Sequence, residues 1–201
     1  MKSAARFLSF LFHPLLMPTL GLLLILNSGT YLSLLDPAAK KAIIFVMALG
    51  TIFFPIMMLP ILYYRNLITS LKDASREEKL ISYLVILVLY VITFAYLGRL
   101  PLSRFVHAYV LSMPVLLFII LLIGLKFNIC AHMAALGGMA GLIVTLILYY
   151  ETPLQWVLIF SLTASGLTGT ARLISGVQRP LEIYSGFLLG FVVVLATLLL
   201  Y

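Results

Sequence analysis

Charged residues are scarce in this sequence. Asp, Glu, Lys and Arg make up 9% of the chain, whereas hydrophobic residues make up 64%. A soluble protein needs a polar exterior, and the interior of a domain of this size cannot take up so many apolar side chains. The composition excludes an ordinary soluble domain and predicts that residues 1–201 form a single integral membrane domain.

The chain also has only one cysteine and no long polar linker. The single cysteine, Cys130, has no second thiol with which to form a disulfide or hold a metal ion. No connection is long enough to separate two domains. The 13 Lys and Arg residues outnumber the 6 acidic ones, but most lie beside apolar runs, where lipid headgroups are the nearest anions. We therefore expect membrane lipids and not nucleic acid as partners, and we expect no cofactor.

Long apolar runs dominate the chain, and they show no alternation of period two. Such runs favour helices over strands, and a run of about 20 residues spans a bilayer. The first run has no clear small-x-small cleavage site, so it is interpreted as a retained span and not a signal peptide. The prediction is an all-α polytopic transmembrane helix bundle with six or seven spans, at 7–27, 41–63, 80–98, 106–126, 130–149, 154–171 and 183–201.

The order of the runs predicts which polar segments meet. If each run crosses the membrane once, the N-terminus and the connections 64–79, 127–129 and 172–182 share one side. Most of the basic residues lie on that side, which favours the cytoplasm by the positive-inside rule. A phosphate-binding site would be basic on either side, however, so this bias does not decide the orientation.

Glycines recur at helical spacing in two of the runs. Gly137 and Gly141 are four residues apart, as are Gly186 and Gly190. Small residues at this spacing let two membrane helices approach closely. We expect these glycines to serve helix packing and not chemistry.

Three polar stretches stand out against this apolar background. Lys72 is followed, after six residues, by Lys79, and His132 stands at the start of the fifth run. Arg172 is followed, after five residues, by Gln178, and Glu182 comes four positions later. Ionisable residues near a membrane boundary are costly, so they call for an explanation.

The three stretches resemble the type 2 phosphatidic acid phosphatase family, which is related to the vanadium haloperoxidases. The family pattern is Lys, six residues, Arg-Pro; then Pro-Ser-Gly-His; then Ser-Arg, five residues, His, three residues, Asp. The resemblance covers about residues 65–190 and keeps the order and the spacing. The chain resembles a degenerate member, because Lys79-Leu80 replaces Arg-Pro, Ala171-Arg172 replaces Ser-Arg, Gln178 replaces histidine and Glu182 replaces aspartate.

The resemblance implies roles for six residues. Lys72, Lys79 and Arg172 would bind phosphate, while His132, Gln178 and Glu182 occupy the catalytic positions. In the family the third-stretch histidine attacks phosphorus, but a carboxamide such as that of Gln178 is not a nucleophile. Loss of a covalent nucleophile commonly costs on the order of 10⁶ in turnover. The chain is thus expected to bind a lipid or isoprenoid phosphate with weak or absent phosphatase activity.

Other interpretations of these residues stay open. His132 could support an active lipid phosphatase, or the chain could be a membrane scaffold or transporter. Arg172 could form a buried ion pair with Glu182, and Ser75 with Glu78 fits a helix capping box. Haem ligation by two histidines would require His13 and His132, since the third, His107, is expected on the opposite side. The resemblance and the compact chain favour the bacterial cytoplasmic membrane.

Overall fold

A computed structural model describes residues 12–65, 75–174, 176 and 178–201, with only the backbone for Leu32. This part of the chain contains seven helices and no strand. Helices α2 to α7 are long and apolar enough to cross a membrane, which confirms the predicted all-α bundle. The helices are α1 (Met17–Leu26), α2 (Pro37–Tyr64), α3 (Arg76–Leu97), α4 (Arg104–Gly124), α5 (Ala131–Tyr150), α6 (Gln155–Ile174) and α7 (Pro180–Leu200).

The first predicted span is only partly helical in the described residues. Its helix, α1, has ten residues, which corresponds to about 15 Å or half of a hydrocarbon core. Residues 12–16 form turns, and Pro14 and Pro18 explain this because proline has no N–H to donate within a helix. Residues 7–11 lie outside the described part. Helix α1 nevertheless packs inside the bundle, where Leu22, Ile25 and Leu26 are fully buried.

Local sequence sets the start of α3. The Ser75 hydroxyl accepts a hydrogen bond from the Glu78 N–H at 3.3 Å, and the Glu78 carboxylate accepts one from the Ser75 N–H at 2.8 Å. This reciprocal pair is the capping box that the sequence suggested. The Arg76 side chain then reaches across to the end of α4, where its Nε donates to the Gly124 carbonyl at 2.8 Å.

Helices α5 and α7 make the most extensive helix contact in the described residues. A Cβ atom added at Gly141 would lie 2.7 Å from the Phe191 carbonyl oxygen, and one at Gly186 would lie 2.8 Å from that of Cys130. Gly137 and Gly190 face Phe187 and Ala134 even more closely. The two backbones touch because these positions have no side chain, which confirms the predicted packing role of the glycines.

Candidate functional site

The polar end of the bundle gathers the segments that helix order predicted to share one side. The Cys130 N–H, before α5, donates to the Glu182 carbonyl in the first turn of α7 at 3.1 Å. The rings of His13 and His132 lie with their centroids 5.4 Å apart. Together with the Arg76 contact, these links join the beginnings of α3, α5 and α7 with the segment before α1 and the end of α4.

The two histidines meet edge to face, with an angle of 78° between their ring planes. His13 lies in the turns before α1, and its Nδ1 accepts a hydrogen bond from the Leu15 N–H at 3.4 Å. His132 occupies the first turn of α5. His107 lies at the other end, where its Nε2 is 3.4 Å from the carbonyl oxygen of Leu97. The expected division of the three histidines is confirmed.

Arg172 is held by Gln178 and not by Glu182. The Arg172 Nε donates to the Gln178 Oε1 at 2.8 Å. Gly176, whose φ of +66° suits glycine, lies in the turn that brings the chain back from the end of α6 to Gln178. The Glu182 carboxylate instead accepts from the Arg179 N–H at 3.4 Å, at the start of its own helix. The expected alternative of an Arg172–Glu182 ion pair is therefore wrong for these described residues.

Arg172 acts electrostatically on several neighbours. Its guanidinium is close enough to influence His13, Tyr83 and Cys130. Burial raises the pKa of the Cys130 thiol, and the nearby N–H groups, Arg172 and the Gln178 amide only partly oppose that rise. We call His13, Cys130, His132, Arg172 and Gln178 the polar cluster. Its fixed positive charge comes from an arginine, and its histidines and amide supply hydrogen-bond donors and acceptors.

The other predicted site residues stand apart from this cluster. Lys72 lies outside the described residues. Lys79 is exposed in the first turns of α3, at the same end of the bundle. Glu182 is half-buried and caps α7, so it does not orient Gln178 in the way the family resemblance implies for an acidic neighbour. Of the six predicted residues, His132, Arg172 and Gln178 belong to the polar cluster.

Two members of the polar cluster, Cys130 and His13, are not among the site residues predicted from the sequence. The lack of a second thiol gives no indication that Cys130, which immediately precedes α5, is completely buried beside Gln178. The sequence raises His13 only as a possible haem ligand. Its position on the expected polar side is a usable signal, because the order of the helices leaves His132 as the only other histidine on that side.

No family model, curated protein or solved structure matches this chain. The resemblance to lipid phosphate phosphatases therefore stays a prediction based on its motifs. The described residues also contain no group of three or more His, Cys, Asp or Glu side chains that could hold a metal ion.

We expect the stability of the protein to depend on pH because of His13. Burial lowers the pKa of His13 below its ordinary value of 6.5, and the charge of Arg172 lowers it further. The unfolded chain then binds more protons than the folded one below pH 6.5, so stability should fall as the pH drops from 6.5 through the lowered pKa. Thermal unfolding in nanodiscs at several pH values would measure this fall.

The variant His13→Asn keeps a side-chain acceptor near the Leu15 N–H but does not titrate. Its melting temperature should depend less on pH below 6.5 than that of the parent. His107→Asn is the matched control, because it removes an imidazole at the other end of the bundle. An unchanged slope in His13→Asn would contradict the assignment.

Proposed function

We propose that the polar cluster binds the phosphate group of a membrane lipid or isoprenoid phosphate, and that the chain turns such ligands over weakly or not at all. The observation that carries this proposal is that Arg172 lies within electrostatic range of His13, whose ring meets that of His132 at one end of the membrane bundle. In sequence these residues are far apart, and only the fold brings them together.

A phosphate monoester near neutral pH carries close to two negative charges, and these require fixed cations and donors. Arg172 supplies a guanidinium with four N–H donors besides the Nε–H that it gives to Gln178. The histidine rings add donors at the same end of the bundle, and a bound dianion would favour their protonated forms. Lys79 is exposed at the same end and can reach toward a headgroup from outside. Lys72 remains a predicted contributor.

Weak turnover follows from the state of Gln178. Its carbonyl oxygen accepts a hydrogen bond from Arg172, so Gln178 orients the guanidinium. In the family, the residue at the position of Gln178 is the histidine that attacks phosphorus. A carboxamide does not form a phosphoryl intermediate. His132 can still donate a proton or hydrogen bond to a bridging oxygen, but proton donation without a nucleophile supplies only part of the chemistry.

The membrane-spanning helices support a site at a membrane surface. Six helices that can span a bilayer make an integral membrane protein, and a headgroup site at their ends lies where lipid phosphates lie. We propose the bacterial cytoplasmic membrane as the location, on the grounds of the family resemblance and the compact chain. The ligand's phosphate would approach from the headgroup layer.

The proposal predicts binding without release. The purified protein in nanodiscs should bind lipid phosphates above the background of empty nanodiscs, and inorganic phosphate release should stay at or close to background for the parent and for His132→Ala. Gln178→His restores the family's third-stretch residue and tests whether the missing nucleophile alone prevents turnover. The measurements are equilibrium binding and phosphate release over a panel of lipid phosphates.

Two outcomes would contradict the proposal. Robust release by the parent that is lost in His132→Ala would show an active phosphatase that depends on His132. Failure of the parent and both variants to bind any lipid phosphate would favour a membrane scaffold. Circular dichroism and size-exclusion profiles serve as folding controls for each variant.

A further inference from the structure

The exposed tyrosines and the single tryptophan all lie near the ends of the helices. They are Tyr31, Tyr63, Tyr64, Tyr96, Tyr149, Trp156, Tyr184 and Tyr201, each within five residues of a helix end. The large exposed side chains in the middle of the spans are apolar, as at Leu84, Val88, Ile159, Leu167, Leu188 and Val192. Tyrosine and tryptophan prefer the boundary between hydrocarbon and headgroups, because each combines an apolar ring with a polar group. The pattern is typical of side chains that meet a bilayer at its two surfaces.

Five of these residues lie at the end of the bundle opposite the polar cluster, and we call them the far belt. They are Tyr31, Tyr96, Tyr149, Trp156 and Tyr201. Tyr31 belongs to this end because its ring centroid lies 5.9 Å from that of Tyr150, the last residue of α5. The Arg104 guanidinium lies 5.7 Å from the centroid of the Tyr201 ring. The far belt therefore combines amphipathic rings with a cation, as expected where a protein meets headgroups.

The remaining three residues lie at the polar end, and we call them the near belt. They are Tyr63 and Tyr64 at the end of α2 and Tyr184 near the beginning of α7. Helix α7 connects the two belts, since Tyr184 and Tyr201 are 17 residues apart. This separation corresponds to about 26 Å along a helix axis. A tilt of about 20° would shorten it by only about 2 Å.

Three further helices carry a basic residue of the polar end 16 or 17 residues from a member of the far belt. The pairs are Lys79 with Tyr96 on α3, His132 with Tyr149 on α5, and Arg172 with Trp156 on α6. These separations correspond to about 24–26 Å. The basic residues therefore lie close to the level of the near belt and away from the middle of the hydrocarbon core, where a charge is costly.

We propose that the two belts bind the two headgroup boundaries of a bilayer whose hydrocarbon core is about 26 Å thick, with Lys79, His132 and Arg172 at the boundary opposite Trp156. The partner is a bilayer slightly thinner than the typical core of about 30 Å. This inference does not depend on the proposed function, because a bundle without any ligand would be embedded in the same way. A lipid phosphate would reach the polar cluster without leaving the headgroup layer.

Tryptophan fluorescence tests the depth of the far belt, because Trp156 is the single tryptophan of the chain. The full chain is reconstituted into dioleoyl phosphatidylcholine vesicles that contain a phosphatidylcholine brominated either near the headgroup or near the end of its acyl chains. The shallow bromines should quench Trp156 more strongly than the deep ones. Stronger quenching by the deep bromines would overturn the far belt, and this measurement needs no substitution.

Two reporters on α7, each in a Trp156→Phe background, give the matched comparison for the near belt. Tyr184→Trp lies in that belt, whereas Val192→Trp lies at an exposed position about 12 Å farther along the same helix. The ratio of shallow to deep quenching should exceed unity for Tyr184→Trp and fall below unity for Val192→Trp. Equal ratios or the reverse order would contradict the proposed position of α7 in the bilayer.

The distance between the belts has its own test. The melting temperature of the parent is measured in dimyristoleoyl, dioleoyl and dierucoyl phosphatidylcholine, which form bilayers of increasing thickness. It should be highest in dioleoyl phosphatidylcholine, because each ångström of mismatch costs free energy in a thinner or a thicker bilayer. A melting temperature that continues to rise in dierucoyl phosphatidylcholine would contradict a spacing of about 26 Å. None of these measurements uses a phosphate ligand, so their failure is distinct from failure of the proposed function.

Discussion

Replacing Arg172 with alanine should weaken the binding of a lipid phosphate about 30- to 150-fold, because a hydrogen-bonded charge at a partly buried site is worth about 2–3 kcal/mol. The side chain is half-buried, Gln178 accepts a hydrogen bond from it, and its charge lies within electrostatic range of His13. Its removal takes away the arginine charge of the polar cluster and leaves the Gln178 carbonyl without this donor. Equilibrium binding of farnesyl phosphate in nanodiscs measures the loss.

Two further variants give this prediction its controls. Arg172→Lys keeps the charge but loses the planar fork of donors, so its affinity should lie between those of the parent and Arg172→Ala. Arg99→Ala makes the same change of charge at an exposed position after α3, at the opposite end of the bundle. An equal loss in Arg99→Ala and Arg172→Ala would mean that net charge alone, and not the polar cluster, attracts the ligand.

The helices could be predicted closely because their limits are local properties. The run predicted at 106–126 is helical from Arg104 to Gly124, following a Ser103 hydroxyl that accepts from the Val106 N–H. The run at 183–201 is helical from Pro180, since proline suits the first helical position. The first span was predicted less well, because a count of apolar residues ignores the missing N–H groups of Pro14 and Pro18.

The composition of the candidate site was partly predictable from helix order. Helix order predicts that His13, His132 and the 172–182 connection share one side. In the structure the two histidine rings meet, and Arg172 lies within electrostatic range of His13. Helix order says nothing about which side chains within that set form hydrogen bonds with each other. The choice of Gln178 over Glu182 as the partner of Arg172 depends on the turn at Gly176 and on helix capping.

The capping role of Glu182 had a signal in the sequence. Glu182 stands at the third position of α7, after Pro180 at the first, and a glutamate there commonly turns back to the N–H before the helix. The family resemblance instead implies a catalytic position for Glu182, because of its spacing from Gln178. Local helix chemistry was the better guide for this residue, whereas helix order was the better guide for the histidines.

Replacing Gly190 with alanine should destabilise the bundle by about 1–3 kcal/mol or more, as expected when atoms are forced into a closely packed contact. The added Cβ would meet the backbone carbonyl of Ala134 on α5. Backbone atoms cannot rotate away as a flexible side chain can, so α5 and α7 would have to move apart. The displacement would also disturb the first turns of both helices, where the Cys130 N–H donates to Glu182. Thermal or detergent-induced unfolding measures the change.

Gly166→Ala is the matched control, because a Cβ at this exposed position of α6 would have no atom within 4 Å. This substitution should leave stability unchanged or raise it by up to about 1 kcal/mol, since alanine favours a helix more than glycine does. Both substitutions change helix propensity in the same way. Opposite changes in stability would therefore be due to the contact between α5 and α7. Equal effects of the two substitutions would show that Gly190 is not needed for the close approach of α5 and α7, and the position of His132 relative to α7 would then require another explanation.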